Sequence, residues 1–399
     1  MRWTLKNIVL LELYALLLVL LVMPGGVKTD EAKYLLSIPY PHPPVIRQIL
    51  SAMKSFPYQE FLARLIFSSI VVQSVWFIRD LGVVLSRPRR AALVSGWLFS
   101  AAVILQSGTV MLTTLTAVFG LIFLWLAMTP SEPDQSTSPF IGLLWLFGLF
   151  SAFQTVLYFP LVWSAQVSAR ASRTKALIYV GVPILLLGLY SLTNPLVPAS
   201  ILKLSGQDSA LPASLRFQNA GWIWLIAGSG VGSLIGSWGL IIGGRRDLQL
   251  SALVLGVYFF ISSAQYYAIL FTPLLIGGVF ILLRQRKIFP ALFISLQAVT
   301  AVILTVLFLP PFQVSDARKV MEKLRARGSA GLILIDGVFG HEWQYESRVP
   351  VRIYSPELSS DVEDLAGAIV CTKKTCEEQI DTEKWVRIEN QPMEVWVRR

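Results

Sequence analysis

The sequence predicts a polytopic α-helical membrane protein with a small α/β domain at its C-terminal end. Three observations carry this. Of 399 residues, 54% are hydrophobic and 15% charged, against about a quarter charged in soluble domains. Apolar runs recur along the chain, each near the roughly 20 residues a helix needs to cross a bilayer. After Pro310-Pro311 the composition turns charged and mixed, over a length that suits a small domain. Mean hydropathy is +0.62. The net charge of +10 does not point to nucleic acid, because Lys and Arg sit in short loops between apolar runs, where they encode membrane topology.

Arg2 and Lys6 precede the first apolar segment, residues 8–23, and set the N-terminus inside. That segment ends in Pro24-Gly25-Gly26 without a small-residue cleavage pattern, so it reads as a retained helix. Residues 25–59 form a first outer loop, and residues 61–85 return to the basic Arg87-Pro88-Arg89-Arg90. Residues 91–105 and 111–128 make a hairpin across Ser107-Gly108, with 130–139 inside. Residues 140–167 are too long for one crossing and short for two, and read as two short helices bent near Gln154-Thr155. A rival reading, one long helix over 91–128 and a single span over 140–167, keeps the same parity but exceeds the bilayer.

Residues 176–190 go out, and 194–219 make a second outer loop. Residues 222–242 return to Arg245-Arg246, 248–262 go out, 267–283 return to Arg284-Gln285-Arg286-Lys287, and 288–309 exit. The sum is about eleven spans, with the basic clusters on one side. The membrane domain is expected over residues 1–311 and the tail domain over 312–399, extracytoplasmic by parity. Within the tail, 317–327 reads as a helix. Residues 331–336, 349–354, 368–371, 385–389 and 393–397 read as strands from their β-branched and apolar content. Cys371 and Cys376 are the only cysteines. They read either as a disulfide in an oxidising compartment or as two free thiols. Zinc would need more ligands than His341 supplies. Short loops and paired cysteines favour a bacterial inner membrane.

The chemistry begins just past the first helix, in "TDEAKYLLSIPYPHPP", residues 29–44. Asp30 and Glu31 are either a solvated loop near the headgroups or a general base at the membrane face. In the second role a carboxylate takes a proton from an acceptor hydroxyl while a lipid-linked donor enters from the bilayer.

"DEAKY" followed by "PHPP" resembles the first outer loop of the GT-C superfamily of membrane glycosyltransferases. It is most similar to the protein O-mannosyltransferases (dolichyl-phosphate-mannose-protein mannosyltransferases) and the lipid A aminoarabinose transferase. "SGTVMLTTLTAVFGLIFLWLAM" looks like that family's fourth helix, "GLLWLFGLFSAFQTVLYFPLVW" like its paired short helices, and "QYYAILFTPLLIGG" like its late Tyr-and-Pro segment. The likeness covers residues 5–309.

The resemblance implies a sugar donor on polyprenyl phosphate and a lipid, glycan or protein acceptor. It implies Asp30 as catalytic base with Glu31 beside it, and inversion at the anomeric carbon. It also implies donor contacts from Tyr34, Tyr266, Tyr267 and the residue before Pro-Pro, here His42; since His42 is not a permanent cation, donor-phosphate binding is expected to lean on it together with Arg47, Lys203 or Arg216. The chain departs from the pattern in three places. Thr113 and Thr114 stand where the family often has an acid, Gln154 where it often has Lys, and His42 where Lys often precedes Pro-Pro. His42 is only partly charged near neutral pH. The oligosaccharyltransferase signature W-W-D-Y-G is absent. No metal site is assigned; Asp30 and Glu31 alone leave a divalent cation open.

Each of these residues has a plainer reading. His42 can be a turn fixed by Pro43 and Pro44, and Tyr266 and Tyr267 an interfacial aromatic belt. "GSGVGSLIGSWG", residues 228–239, follows no strand, so it reads as helix packing and not as a dinucleotide loop. Arg79 and Asp80 snorkel to the inner interface, and Arg64 faces either packing or a cavity. Against a transferase stand a lipid or glycolipid flippase, which would need broken helices in matching halves, and a bare membrane anchor for the tail.

Overall fold

The helix over Leu5–Val22 (α1) forms because eighteen residues pass without Gly, Pro or a β-branched run. Met23-Pro24-Gly25 ends it in a tight turn, with Gly26 at φ +70°. Leu11, Ala15 and Leu18 pack against Val72 and Val75, while Leu10, Leu13, Leu17 and Leu20 are exposed. In this computed structural model the described residues are 5–39, 41–129, 137–198, 212–262, 264–309, 316–326, 331–336, 340–347, 349–354, 366–371, 380–389 and 393–398.

The chain is mostly helical. Among the described residues four helical stretches are long and apolar enough to cross a membrane: Leu5–Gly25, Gln59–Val84, Arg173–Thr193 and Pro290–Phe308. A fifth follows if a pair bent by 97°, Ala213–Ala227 with Val231–Ile242, counts as one span. Rows of exposed apolar side chains, such as Leu177, Leu185 and Leu189 or Leu292, Val299, Val302 and Val306, give these helices the surface of a membrane protein. Shorter apolar helices, Leu112–Met128, Ser138–Ser151 and Ala268–Arg284, accompany them, and the eleven crossings expected from hydropathy are not shown by this measure. Hydropathy counts apolar length, and several apolar runs are interrupted by buried polar breaks.

The hairpin segment is Arg87–Leu98 (α6), Ala101–Gln106 (α7) and Leu112–Met128 (α8), broken at Phe99-Ser100. The expected paired helices are Thr137–Ser151 and Phe159–Ser168, joined by a tight turn over Phe153–Tyr158. The single span expected over 222–242 is instead Ala213–Ala227 (α12) and Val231–Ile242 (α13). Ser229 and Gly230 both take positive φ between them. Residues 213–219, expected in a loop, are helical.

The two breaks meet. Ser100 and Thr272 hydroxyls each donate to Ala227 O at 2.8 Å. Ser229 donates to Phe99 O at 2.8 Å and accepts from the Ala101 amide at 2.6 Å. Gln297, on the helix Pro290–Phe308, accepts from the Gly232 amide at 2.9 Å and donates to Phe99 O at 3.1 Å. In an apolar surround each such backbone group must be satisfied. Gln297→Leu strands the Gly232 amide and should cost roughly 1–3 kcal/mol, read as a lower thermal midpoint in detergent.

Helix ends at the expected inner side are capped by the basic clusters. Arg90 donates to Gly82 O, Val83 O and Leu85 O. Arg245 pairs with Asp247 at 2.6 Å and donates to Ala127 O at 3.1 Å. The helix Ala268–Arg284 is almost wholly buried. Its Gly278 lies against Gly236 and Gly239 of α13, closely enough that a Cβ on Gly239 would fall 2.0 Å from Gly278 O. The "GSGVGSLIGSWG" stretch thus both breaks and packs.

The described residues group into two compact units. One holds Met1–Leu21, Tyr40–Ile49 and Glu60–Leu309; the other holds Val22–Pro39, Leu50–Gln59 and Pro310–Arg399. In the second unit a five-stranded sheet runs β2-β1-β3-β5-β4. Its strands are Leu332–Ile335 (β1), Val351–Ile353 (β2), Ala366–Cys371 (β3), Trp385–Glu389 (β4) and Glu394–Arg398 (β5). β1 is parallel to β2 and β3, while β5 is antiparallel to β3 and β4. The helix Asp316–Ala326 (α17) puts Ala317, Val320, Met321 and Leu324 on one sheet face, with Ile333, Ile335 and Val370. Leu334, Ile369, Trp385 and Trp396 fill the other face. Cys371 is disulfide-bonded; Cys376 lies outside the described residues.

Candidate active site

The DEAKY stretch is a helix, Thr29–Leu35 (α2), not a loop. Its backbone enters from Lys28 in an extended conformation. Glu31 is fully buried, and its Oε2 accepts from the Lys28 amide at 3.4 Å. It therefore caps its own helix, where unpaired amides attract a carboxylate. Asp30 points differently. Its side chain is 24% exposed and lies 3.0 Å from Lys33 Nζ one turn on. Tyr34 is buried on the same helix. Glu31→Ala should cost about 1 kcal/mol through the lost cap, measured as a lower denaturation midpoint.

A helix that the sequence reading missed, Gly340–Ser347 (α18), packs against α2. Glu346 on α18 is buried, accepts from the Val27 amide at 3.3 Å, and pairs with Arg318 at 3.0 Å. Arg318 also donates to Met23 O at 2.7 Å. Half-buried His341 opens α18. Burial, and after it the Lys33 ammonium, push its imidazole below the ordinary value, with Asp30 opposing.

In the other unit the Phe153–Tyr158 turn gathers residues far apart in sequence. His42, buried, stacks on Phe153 with centroids 4.2 Å apart, and its carbonyl accepts from Tyr190 Oη at 3.3 Å. Gln154 and Ser262 lie beside Tyr258, whose ring meets that of Tyr267 with centroids 5.1 Å apart. Tyr266 and Tyr267 lie hydroxyl to hydroxyl at 3.3 Å. Gln154 Oε1 and Thr113 Oγ1 are buried and carry no hydrogen-bond partner among the described residues. Tyr158, beneath which Gly120 leaves room, donates to Leu270 O and anchors the turn's end.

The remaining candidates are scattered. Arg47 is half-buried on the helix Val45–Ala52. Arg216 lies over the Phe260 ring, 5.9 Å from its centroid. Lys203 lies outside the described residues. Arg64 is buried and pairs with Glu60 at 3.3 Å, and Asp80 accepts from Trp125 Nε1 at 2.8 Å. Sequence reasoning missed Glu60, Tyr258 and Glu12. Glu12 holds Ser69 and Gln73 at 2.6 and 2.7 Å; a lone acid inside the first apolar segment was a legible signal. Among the described residues no three His, Cys, Asp or Glu side chains gather as a metal site would need.

No family model matches the chain, and no curated protein matches it. Among solved structures it is similar to the cryo-EM structure of arabinofuranosyltransferase AftD from Mycobacteria. The identity is 12% and the TM-score 0.48, over 100% of this chain and 42% of that one. The chain thus spans less than half the length of that protein. A likeness of this size assigns neither family nor activity.

Proposed function

We propose that this chain is a membrane glycosyltransferase that moves a sugar from a polyprenyl-phosphate donor to an acceptor hydroxyl at the outer membrane face. The observation that carries the reading is the buried Gln154 Oε1, partnerless among the described residues in a cluster with Tyr258 and Tyr267, on the turn that also stacks His42. A buried polar atom without a partner calls for one from a ligand. A sugar hydroxyl can donate to Gln154 Oε1, and the tyrosine hydroxyls and an imidazolium can donate to phosphate oxygens.

Asp30 supplies the base in this scheme. Its carboxylate takes the acceptor's proton as the acceptor oxygen bonds to the anomeric carbon. The bond to phosphate oxygen breaks, polyprenyl phosphate leaves with the electron pair, and the configuration inverts. Lys33 must give up Asp30 for this to happen. The acceptor is a lipid, glycan or protein, and the C-terminal domain lies on the extracytoplasmic side of a bacterial inner membrane.

A flippase reading would use the broken helices as a passage. Here the break is filled by Ser100, Ser229, Thr272 and Gln297, which favours a structural role for it. The test is mass spectrometry of lipid co-purified with the wild type and with Gln154→Leu. Polyprenyl phosphate enriched in the wild type and lost in the variant is expected. Equal lipid profiles, with no polyprenyl phosphate in either, would sink the reading.

A further inference from the structure

We propose that Arg318 and Glu346, from the C-terminal domain, are positioning residues for Asp30 and act through the backbone that enters α2. The proposal rests on Asp30 as the base. Val22–Pro39 belongs to the same compact unit as Pro310–Arg399, so the helix that carries Asp30 folds with the C-terminal domain. Arg318 Nη1 donates to Met23 O at 2.7 Å, and Glu346 Oε1 accepts from the Val27 amide at 3.3 Å. These contacts join residues 295 and 319 positions apart in sequence. Arg318 and Glu346 also pair with each other at 3.0 Å, and the Glu346 side chain is only 8% exposed. One ion pair therefore meets a carbonyl with its donor and an amide with its acceptor, each group in the only role it can take.

Between the two clamped groups the chain turns a corner. Gly26 takes φ +70°, and its amide closes on Met23 O at 3.2 Å. Glycine has many other conformations open to it, so outside contacts are needed to hold this one. The next amide after Val27, that of Lys28, goes to Glu31 at 3.4 Å. Two successive amides are thus held by two carboxylates, one from the C-terminal domain and one from α2 itself. The helix starts directly after them, and Asp30 is its second residue. α18, which carries Glu346, packs on α2, and α17, which carries Arg318, packs on α18. A base works only when held close to its productive geometry. Arg318 and Glu346 touch no reacting atom in this scheme; they set where the base stands.

The test compares full-length wild type in nanodiscs with Glu346→Ala and with the exchanged pair, Arg318→Glu together with Glu346→Arg. The exchanged pair can keep the ion pair between α17 and α18. It offers a carboxylate to Met23 O and a guanidinium to the Val27 amide, so neither backbone group is satisfied. Hydrogen exchange over residues 27–35, read by mass spectrometry, should quicken about ten- to hundredfold in both, the worth of one bond to a charged group. Strands β1 and β3 should exchange as in wild type. Wild-type exchange over 27–35 in either variant overturns the proposal, and so does loss of protection across β1 and β3, which would make the pair a support of the whole domain. In a transfer assay the exchanged pair should lose up to about a hundredfold in kcat, with KM within about twofold. A wild-type kcat beside fast exchange at 27–35 overturns the positioning role. Failure of the transferase reading would show instead as Asp30→Asn turning over normally, with the exchange results as described.

Discussion

On the proposed function, with Asp30 as base, Asp30→Asn should lower glycosyl transfer by roughly 10²–10⁴-fold, the span general-base removal usually costs, while the protein stays folded. Asn keeps the size of the side chain and removes only its proton affinity. The pair it breaks, Asp30 with Lys33, is partly exposed on both sides, where such a pair contributes about 0–1 kcal/mol. Turnover and thermal midpoint therefore separate. Glu31→Gln is the companion: Glu31 is buried and caps α2, and an amide oxygen can accept the same bond. It should leave turnover within a few-fold of wild type. Turnover of Asp30→Asn at the wild-type rate in a donor-saturated assay would remove Asp30 from the chemistry.

Gly239→Ala should be among the most damaging single methyl additions in the membrane domain. The new carbon would sit 2.0 Å from Gly278 O, and a Cβ on Gly278 would sit 1.9 Å from Gly236 O. Both obstacles are backbone, which cannot rotate aside. The helices Val231–Ile242 and Ala268–Arg284 must part, and overpacking of this kind costs about 1–3 kcal/mol or more. Gly256→Ala is the control, because its added carbon meets nothing within 4 Å. It should be neutral or gain up to about 1 kcal/mol from the helix preference for Ala. Thermal midpoints in one detergent compare the two, and equal midpoints would refute the close crossing.

The regular parts of this fold were legible. All five strands of the tail sheet and the helix before it follow from apolar and β-branched runs, within a few residues of Leu332–Ile335, Val351–Ile353, Ala366–Cys371, Trp385–Glu389 and Glu394–Arg398. The bend near Gln154 also follows, since a largely apolar stretch of 28 residues, 140–167, fits neither one crossing nor two. The interruptions at Phe99-Ser100 and Gly228–Gly230 were not legible, because hydropathy hardly falls across them. What holds them is Gln297, whose role depends on residues 65 and 198 positions away. Helix Gly340–Ser347 was missed because its residues are mostly polar and its two buried aromatics, Trp343 and Tyr345, stand two apart and so set no helical period.

The site divides the same way. Asp30 was visible as an acid after the first apolar segment, but its different setting from that of Glu31 was not. That depends on Thr29–Leu35 being helical, so that Glu31 turns in and Asp30 turns toward Lys33. His42, Gln154 and Tyr267 were each singled out by a local pattern. Their gathering around Phe153–Tyr158, with Tyr258 between them, is a property of the folded chain alone.

The knot at Gln297 bears on how the protein is made. Gly232 emerges from the ribosome 65 residues before the side chain that will accept its amide. At ordinary synthesis speeds that gap lasts on the order of ten seconds. During it a sharp corner of backbone waits in or beside the bilayer without its permanent partner. Insertion of that corner must then be provisional, sheltered by the translocation machinery or by water, and completed only when the last membrane helix arrives.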